Sequence, residues 1–205
     1  PVNRGFGMLG NSLFMVTLDA HLLSLDRRSG EILWDVVLAD YRVGYAATMA
    51  PLVIDGKVIV GISGGEYATR GFIDAFDPVT GERIWRFNTI PGPGEPGSET
   101  WPDDADILAR GGGGSWMNGS YDPELDLIYW GVGNPNPDYF GATRPGDNLY
   151  SNSIVALEAA TGQLRWHYQF TPHDLHDWDS NQIPVLAEIE WQGQPRAVVM
   201  QANRN

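Results

Sequence analysis

The hydrophobic and polar positions of the chain follow one recurring unit, which occurs three times. In each copy, apolar and polar residues alternate along a short strand. An acidic residue and a Ser/Thr-Gly turn come next, and then a second strand that ends in tryptophan. The three copies are Leu22–Trp34, Ile73–Trp85 and Ile154–Trp166. Alternation with a period of two turns one face of a strand inward, and glycine adopts the positive φ of a tight turn. Each unit therefore predicts a β-hairpin.

The spacing of these hairpins predicts a β-propeller. An isolated hairpin is only marginally stable, so repeated hairpins are expected to stack. The turn glycines Gly30 and Gly81 are 51 residues apart, which suits one four-stranded blade; Gly162 follows 81 residues later, leaving room for an insertion or a further blade. Further strands are predicted over 120–131, 183–190 and 196–201. We expect an all-β fold of three to four blades, with residues 1–205 an incomplete part of a single propeller domain.

Tryptophan ends each hairpin unit, and its large apolar area suits the seam between two blades. Trp34, Trp85 and Trp166 are therefore interpreted as structural residues that pack between neighbouring blades.

Composition and charge narrow the possible partners. The chain holds 13 Lys and Arg against 26 Asp and Glu, a net charge of −13, which argues against nucleic acid as a partner because phosphates require a basic surface. No apolar run approaches the roughly 20 residues of a membrane span. Cysteine is absent, so the sequence provides no disulfide, thiolate metal site or cysteine nucleophile.

Two segments depart from the strand pattern and offer single oxygen ligands. In 61–71, an apolar strand runs into small residues and then Glu66; small residues let a flat ligand approach the backbone closely. In 131–137, Asn134 leaves an apolar strand just before a proline. Either residue suits a hard cation, which prefers oxygen ligands. The alternatives, a solvated loop glutamate and an Asx-turn asparagine, remain open on these residues alone.

Two further segments carry candidate chemistry. Three aspartates and two histidines fall within 173–179, where an extended backbone would place Asp177 and Asp179 on one side. Such carboxylates suit a calcium-like ion, with one left as a base, although an acidic surface loop is the alternative. Trp116 follows a glycine run and suits either a stacking floor for a planar cofactor or ordinary loop packing.

Taken together, these segments resemble the quinoprotein alcohol dehydrogenases of the methanol and ethanol dehydrogenase family. The resemblance rests on Val2–Gly5, Ser63–Glu66 with Arg70-Gly71, Gly131–Pro135, Arg144–Asn148 and Thr171–Asp179, in matching order and spacing. It implies an eight-bladed propeller that holds pyrroloquinoline quinone (PQQ) and a metal ion, of which this chain would cover roughly the second to the fifth blade. It also implies a periplasmic enzyme that oxidises a small alcohol and passes electrons to a cytochrome c-type acceptor.

The resemblance also implies residue roles. Arg4, Thr48 and Ser63 would hold the quinone carboxylates, Gly64 and Gly65 would line its slot, and Trp116 would stack under its ring. Glu66 and Asn134 would bind the metal, Asp177 would be the catalytic base and a metal ligand, and Arg204 would lie near the reactive quinone oxygen. Asp179 would add a second carboxylate at the metal, so we favour a lanthanide over calcium.

Departures from the family pattern concern the substrate side. His176 stands where a tryptophan is usual before the catalytic aspartate, and Gly114 replaces a hydroxyl residue two positions before the floor tryptophan. The substrate pocket is therefore expected to differ from that of methanol oxidisers.

The rival hypothesis is a cofactor-free propeller that serves as a protein-binding scaffold in the cell envelope. It explains the hairpins equally well, but not the joint occurrence of Glu66, Asn134, Trp116 and the Asp177/Asp179 pair.

Overall fold

The computed structural model describes residues 2–205 and consists mainly of antiparallel sheets. Three sheets have four strands each in sequential order, and a two-stranded hairpin follows. The first sheet contains β1 (Gly7–Leu9), β2 (Ser12–Val16), β3 (His21–Asp26) and β4 (Ile32–Val37). The second contains β5 (Leu52–Ile54), β6 (Lys57–Gly61), β7 (Phe72–Phe76) and β8 (Arg83–Asn88). The third contains β9 (Ser120–Asp122), β10 (Leu127–Gly131), β11 (Ser153–Glu158) and β12 (Leu164–Gln169), and the hairpin pairs β13 (Val185–Trp191) with β14 (Gln194–Met200).

These sheets confirm the predicted class, an all-β partial propeller of three to four blades. The interval of 81 residues between the second and third turn glycines holds an insertion and no extra blade. This insertion carries the short helix α1 (Ala105–Ala109) and a small apolar cluster of Ile90, Trp101 and Leu108. Short 3-10 turns lie at Tyr41–Val43, Gly65–Tyr67, Ser98–Thr100 and Gly141–Thr143. No helix within residues 2–205 is long and apolar enough to cross a bilayer.

The acidic residue of the repeat shapes the hairpin turn. Asp26 Oδ1 accepts hydrogen bonds from the backbone N–H groups of Arg28 and Ser29, both at 2.8 Å. Asp77 Oδ1 does the same for Val79 and Thr80, also at 2.8 Å. A short carboxylate satisfies turn donors that have no partner in the strand ladder, which explains the aspartate at this position in the first two repeats. In the third repeat, Glu158 instead accepts from the Thr161 hydroxyl at 2.8 Å.

The tryptophans of the first two repeats join successive blades. Trp34 Nε1 donates to Pro78 O at 3.2 Å, and Trp85 Nε1 donates to Ala159 O at 3.1 Å, each in the turn of the following blade. A Cβ at Gly162 would lie 2.5 Å from the Trp85 ring, so only glycine admits the indole here. Trp166 differs, because it contacts Tyr129 of its own sheet and is 38% exposed.

Residues 112–115 form a crossing segment that connects the second and third sheets at the ends of their buried strands. Ser115 N donates to Ile62 O, just beyond β6, and Gly133 N, just beyond β10, donates to Gly114 O, both at 2.8 Å. The crossing therefore brings the segments after β6 and β10 to one place, where the residues outside the repeat gather.

Candidate active site

A single cavity of about 470 Å³ collects nearly all the residues that the sequence singles out. Ten of the eleven predicted site residues line it: Arg4, Thr48, Ser63, Gly64, Gly65, Glu66, Trp116, Asn134, Asp177 and Asp179. The remaining lining residues are Val2, Gly114 and Asp138. Residues from position 2 to position 179 thus meet at one site.

One part of the cavity wall is a set of hydrogen-bond donors. Arg4 Nη1 donates to Thr48 Oγ1 at 2.7 Å, and Thr48 Oγ1 lies 3.4 Å from Ser63 Oγ. The Arg4 backbone N–H also donates to Thr48 O at 3.0 Å, which pins the N-terminal segment to the second blade. A guanidinium beside two hydroxyl groups is a donor set that suits a carboxylate.

Trp116 gives the cavity a flat aromatic surface. The Arg4 guanidinium carbon lies 5.0 Å from the centre of the Trp116 ring, and the Trp116 Nε1 atom donates to Asp179 Oδ2 at 3.2 Å. The indole is therefore contacted over one ring face by Arg4 and at its Nε1 edge by Asp179. Gly64, Gly65 and Gly114 line the same cavity without side chains, which leaves room for a planar molecule beside the ring.

The Asp179 carboxylate is fixed by three donors from three parts of the chain. Besides Trp116 Nε1, Asn134 N and Asn181 Nδ2 donate to Asp179 Oδ1, at 3.1 and 3.3 Å. Burial raises the pKa of Asp179 to about 6, against the hydrogen bond from Asn134 and with a further increase from the charge of Asp177. Oδ1 accepts two of these bonds and Oδ2 accepts one, so Oδ2 still has a lone pair for another partner.

Asp177 and its neighbours form the outer part of the site. The Tyr139 hydroxyl donates to Asp177 Oδ2 at 3.3 Å, and the charge of Asp177 raises the pKa of Tyr139. Arg204 does not line the cavity; its Nη1 atom donates to the Asp177 backbone carbonyl at 3.2 Å. The structure therefore places Arg204 beside Asp177.

The extended backbone that would place the aspartate pair on one side does not form. Asp177 and Asp179 both adopt positive φ, 57° and 53°. The cause is Asp174, whose carboxylate accepts from the N–H groups of His176 at 2.8 Å and Trp178 at 2.9 Å and thereby folds the segment into turns. Both aspartates line the cavity all the same.

Asp138 is a lining residue that the sequence reading missed. Its Oδ1 atom accepts from Asn134 Nδ2 at 2.7 Å. Burial raises the pKa of Asp138, and the charges of Asp177 and Glu66 raise it further. The available signal was its position four residues after Asn134 in the same loop. Among residues 2–205, no three His, Asp or Glu side chains converge into a preformed metal cluster; the oxygen donors include the Asn134 amide.

The comparison with known families decides what kind of propeller this is. Residues 9–205 match the family profile described as PQQ: glucose/ethanol/alcohol dehydrogenase, beta-propeller domain. The chain belongs to the PQQ dehydrogenase family. This confirms the resemblance stated from the sequence.

Individual PQQ dehydrogenases match along the whole chain. It is 43% identical over 215 residues to the quinohemoprotein alcohol dehydrogenase ADH IIB of Pseudomonas putida, all of the chain against 31% of that relative. It is 37% identical over 223 residues to the lanthanide-dependent methanol dehydrogenase of Methylacidiphilum fumariolicum strain SolV, all of the chain against 36% of the relative. A solved europium-containing methanol dehydrogenase superimposes with a TM-score of 0.94 at 36% identity, covering all of the chain and 38% of that structure. The chain thus spans about a third of these PQQ dehydrogenases.

The residues present fit PQQ, which gives the family its name, and a hard cation such as the europium in the matched methanol dehydrogenase structure. PQQ is a flat polycarboxylate, and the cavity offers Arg4, Thr48 and Ser63 as carboxylate donors and the face of Trp116 for the ring. Glu66, Asn134, Asp177 and Asp179 add an oxygen-rich set, which is what a calcium or lanthanide ion binds. The raised pKa values of Asp138 and Asp179 reflect burial and unbalanced negative charge that a cation would offset.

Proposed function

We propose that the protein oxidises a small alcohol to an aldehyde with PQQ and one metal ion, in the periplasm, and delivers electrons to a cytochrome c-type acceptor. The observation that carries the proposal is the convergence of ten residues, distant in sequence, on one cavity. Since the chain spans about a third of its relatives, the activity is proposed for the whole protein.

The residues divide into three tasks. Arg4, Thr48 and Ser63 would bind the quinone carboxylates, while Trp116 would stack against the ring and fix its plane. Glu66, Asn134, Asp177 and Asp179 would hold the cation.

When bound, the quinone supplies the two-electron acceptor and the cation polarises it. Asp177 takes the hydroxyl proton of the alcohol at its carboxylate, as a general base. Tyr139 hydrogen bonds to this carboxylate and orients it. Arg204, which donates to the Asp177 carbonyl, adds positive charge beside the base.

A lanthanide is proposed as the cation in preference to calcium. Asp179 adds a carboxylate two residues beyond Asp177, and a trivalent ion gains more from the added charge and coordination than a divalent one. The Asp179 carboxylate is already fixed on the cavity wall by Trp116, Asn134 and Asn181. The test is activity of the full-length metal-free enzyme reconstituted with La³⁺ or Ca²⁺. Full activity with Ca²⁺ alone, unchanged by Asp179→Ala, would refute this assignment.

The role of Asp177 is tested by Asp177→Asn in the full-length protein. The amide keeps the size of the side chain but cannot take the alcohol proton, so turnover should fall by about 10²- to 10⁴-fold, while the quinone absorbance band of the purified protein persists. Asp103→Asn, at an exposed position outside the cavity lining, serves as the control with unchanged turnover. Wild-type turnover in Asp177→Asn would contradict the role.

A further inference from the structure

Asn134 has one polar atom without a hydrogen-bond partner among residues 2–205. Its backbone N–H donates to Asp179 Oδ1 at 3.1 Å, and its backbone carbonyl accepts from Gly113 N at 2.8 Å. Its Nδ2 atom donates to Asp138 Oδ1 at 2.7 Å and to Pro135 O at 3.3 Å. Only Oδ1 is left, on a side chain that is 9% exposed and lines the cavity. The cavity therefore meets Asn134 through a free acceptor atom.

The chemistry of the two Nδ2 partners fixes the orientation of this amide. A carboxylate and a backbone carbonyl only accept hydrogen bonds, so the nitrogen of the amide must face them. A rotation of the amide by half a turn would set Oδ1 against Asp138 and Pro135 O and present the nitrogen to the cavity. An amide nitrogen does not ligate a hard cation, whereas the oxygen does. The side-chain partner that enforces the ligating orientation is Asp138.

Asp138 is itself held in place by a rigid loop. Its neighbour Pro137 offers a carbonyl that accepts from the buried Arg144 through Nε at 3.1 Å and Nη2 at 2.8 Å. Arg144 also donates to Asn148 Oδ1 at 2.9 Å, inside the same loop. The loop that carries Asp138 is thus anchored to the protein interior, and the half-buried carboxylate is presented to Asn134 in a defined position.

We propose that Asp138 is a positioning residue, which orients the Asn134 amide so that its oxygen faces the cation. This inference rests on the cation site of the proposed function. The resemblance stated above gives no role to Asp138. Because Asp138 acts through Asn134, its removal should weaken cation binding more than it changes the fold.

The experiment compares Asp138→Ala with Asp138→Asn in the full-length, PQQ-loaded, metal-free protein. Isothermal titration calorimetry with La³⁺ and, separately, Ca²⁺ measures cation affinity. Loss of a residue that orients a metal ligand typically weakens affinity by about 10- to 100-fold, which is expected for Asp138→Ala. In Asp138→Asn the amide oxygen can still accept from Asn134 Nδ2 while Pro135 O keeps that nitrogen on the same side, so the affinity should stay within about threefold of wild type. Asp103→Ala, on the exposed surface, is the control for a lost remote charge.

The two variants separate orientation from charge. Asp138→Ala with wild-type affinity would overturn the inference, as would Asp138→Asn as weak as Asp138→Ala, because the negative charge would then be what matters. The quinone absorbance band and the thermal midpoint of each variant show that the cavity has formed. Wild-type protein that binds quinone but neither cation would overturn the proposed cation site and this inference with it. If the wild type binds the cation and Asp138→Ala binds it equally well, only the inference is overturned.

Discussion

Gly133 provides a test of the cavity wall, because its position leaves no room for a side chain beside Asp179. An alanine Cβ at this position would lie 2.4 Å from Asp179 Oδ1 and 2.6 Å from Asn181 Nδ2. Contacts of Cβ atoms essentially never fall below 3.0 Å, so the carboxylate oxygen must move by at least about 0.6 Å. Gly133 does not adopt the left-handed conformation, so alanine brings no backbone strain.

The magnitude follows from what the displaced carboxylate loses. The two nearest clashing atoms are the ends of side chains, and the Gly114 carbonyl oxygen follows at 3.0 Å, so the main displacement falls on Asp179, which gives up its bond from Asn134 N. A hydrogen bond to a charged group contributes about 1.5–3 kcal/mol. We therefore expect Gly133→Ala to lower the free energy of unfolding by about 2 kcal/mol. A similar loss at the cation would weaken its binding by about 10- to 100-fold, since 1.4 kcal/mol is a factor of ten.

The assay is calorimetric titration of the full-length metal-free protein with La³⁺, together with urea denaturation. Asp103→Ala, at an exposed position outside the cavity lining, is the control. It should keep the cation affinity within about threefold. Wild-type affinity in Gly133→Ala would refute the reasoning, because the displaced Asp179 would then contribute nothing to the cation site.

Two further predictions concern the blades that hold the site. Asp74 is fully buried and accepts hydrogen bonds from Arg86 Nε at 2.7 Å and Nη2 at 2.6 Å. Because Asp74→Asn breaks this buried ion pair, it should lower the free energy of unfolding, measured by urea denaturation, by about 3 kcal/mol. Arg83→Gln, which removes only an exposed charge 3.9 Å from Asp74, should cost under about 1 kcal/mol, and equal losses would contradict this ranking. Trp85→Phe keeps the aromatic ring but leaves the Ala159 carbonyl without its donor, so the same measurement should show a loss of about 1–2 kcal/mol; an unchanged midpoint would show that the indole bond does not stabilise the seam.

The blade structure could be predicted because its determinants are local. Strand alternation and a turn closed by an acidic side chain are contained in each repeat, and they identified the hairpins that end at Trp34, Trp85 and Trp166. For the last hairpin, the predicted strand ends differ from the observed ones by one or two residues. Its turn forms at Gln192-Gly193, where both residues adopt positive φ. Two residues in a left-handed conformation define a tight hairpin loop.

Matching motifs predicted ten residues that line one cavity, but not the detailed geometry of that cavity. The bends at Asp177 and Asp179 depend on the hydrogen bonds of Asp174, and a side chain that competes for backbone donors overrides simple alternation. Asp138 was missed because its role depends on a contact within an irregular loop, for which no periodic pattern exists.

The most direct test of the quinone and cation site is a crystal structure of the full-length protein soaked with PQQ and La³⁺. The account predicts quinone density against Trp116 with its carboxylates at Arg4, Thr48 and Ser63. It also predicts an anomalous La³⁺ peak among the oxygens of Glu66, Asn134, Asp177 and Asp179. A protein that takes up neither group in solution would contradict the account and favour the cofactor-free scaffold, and binding of both groups away from this cavity would contradict the account as well.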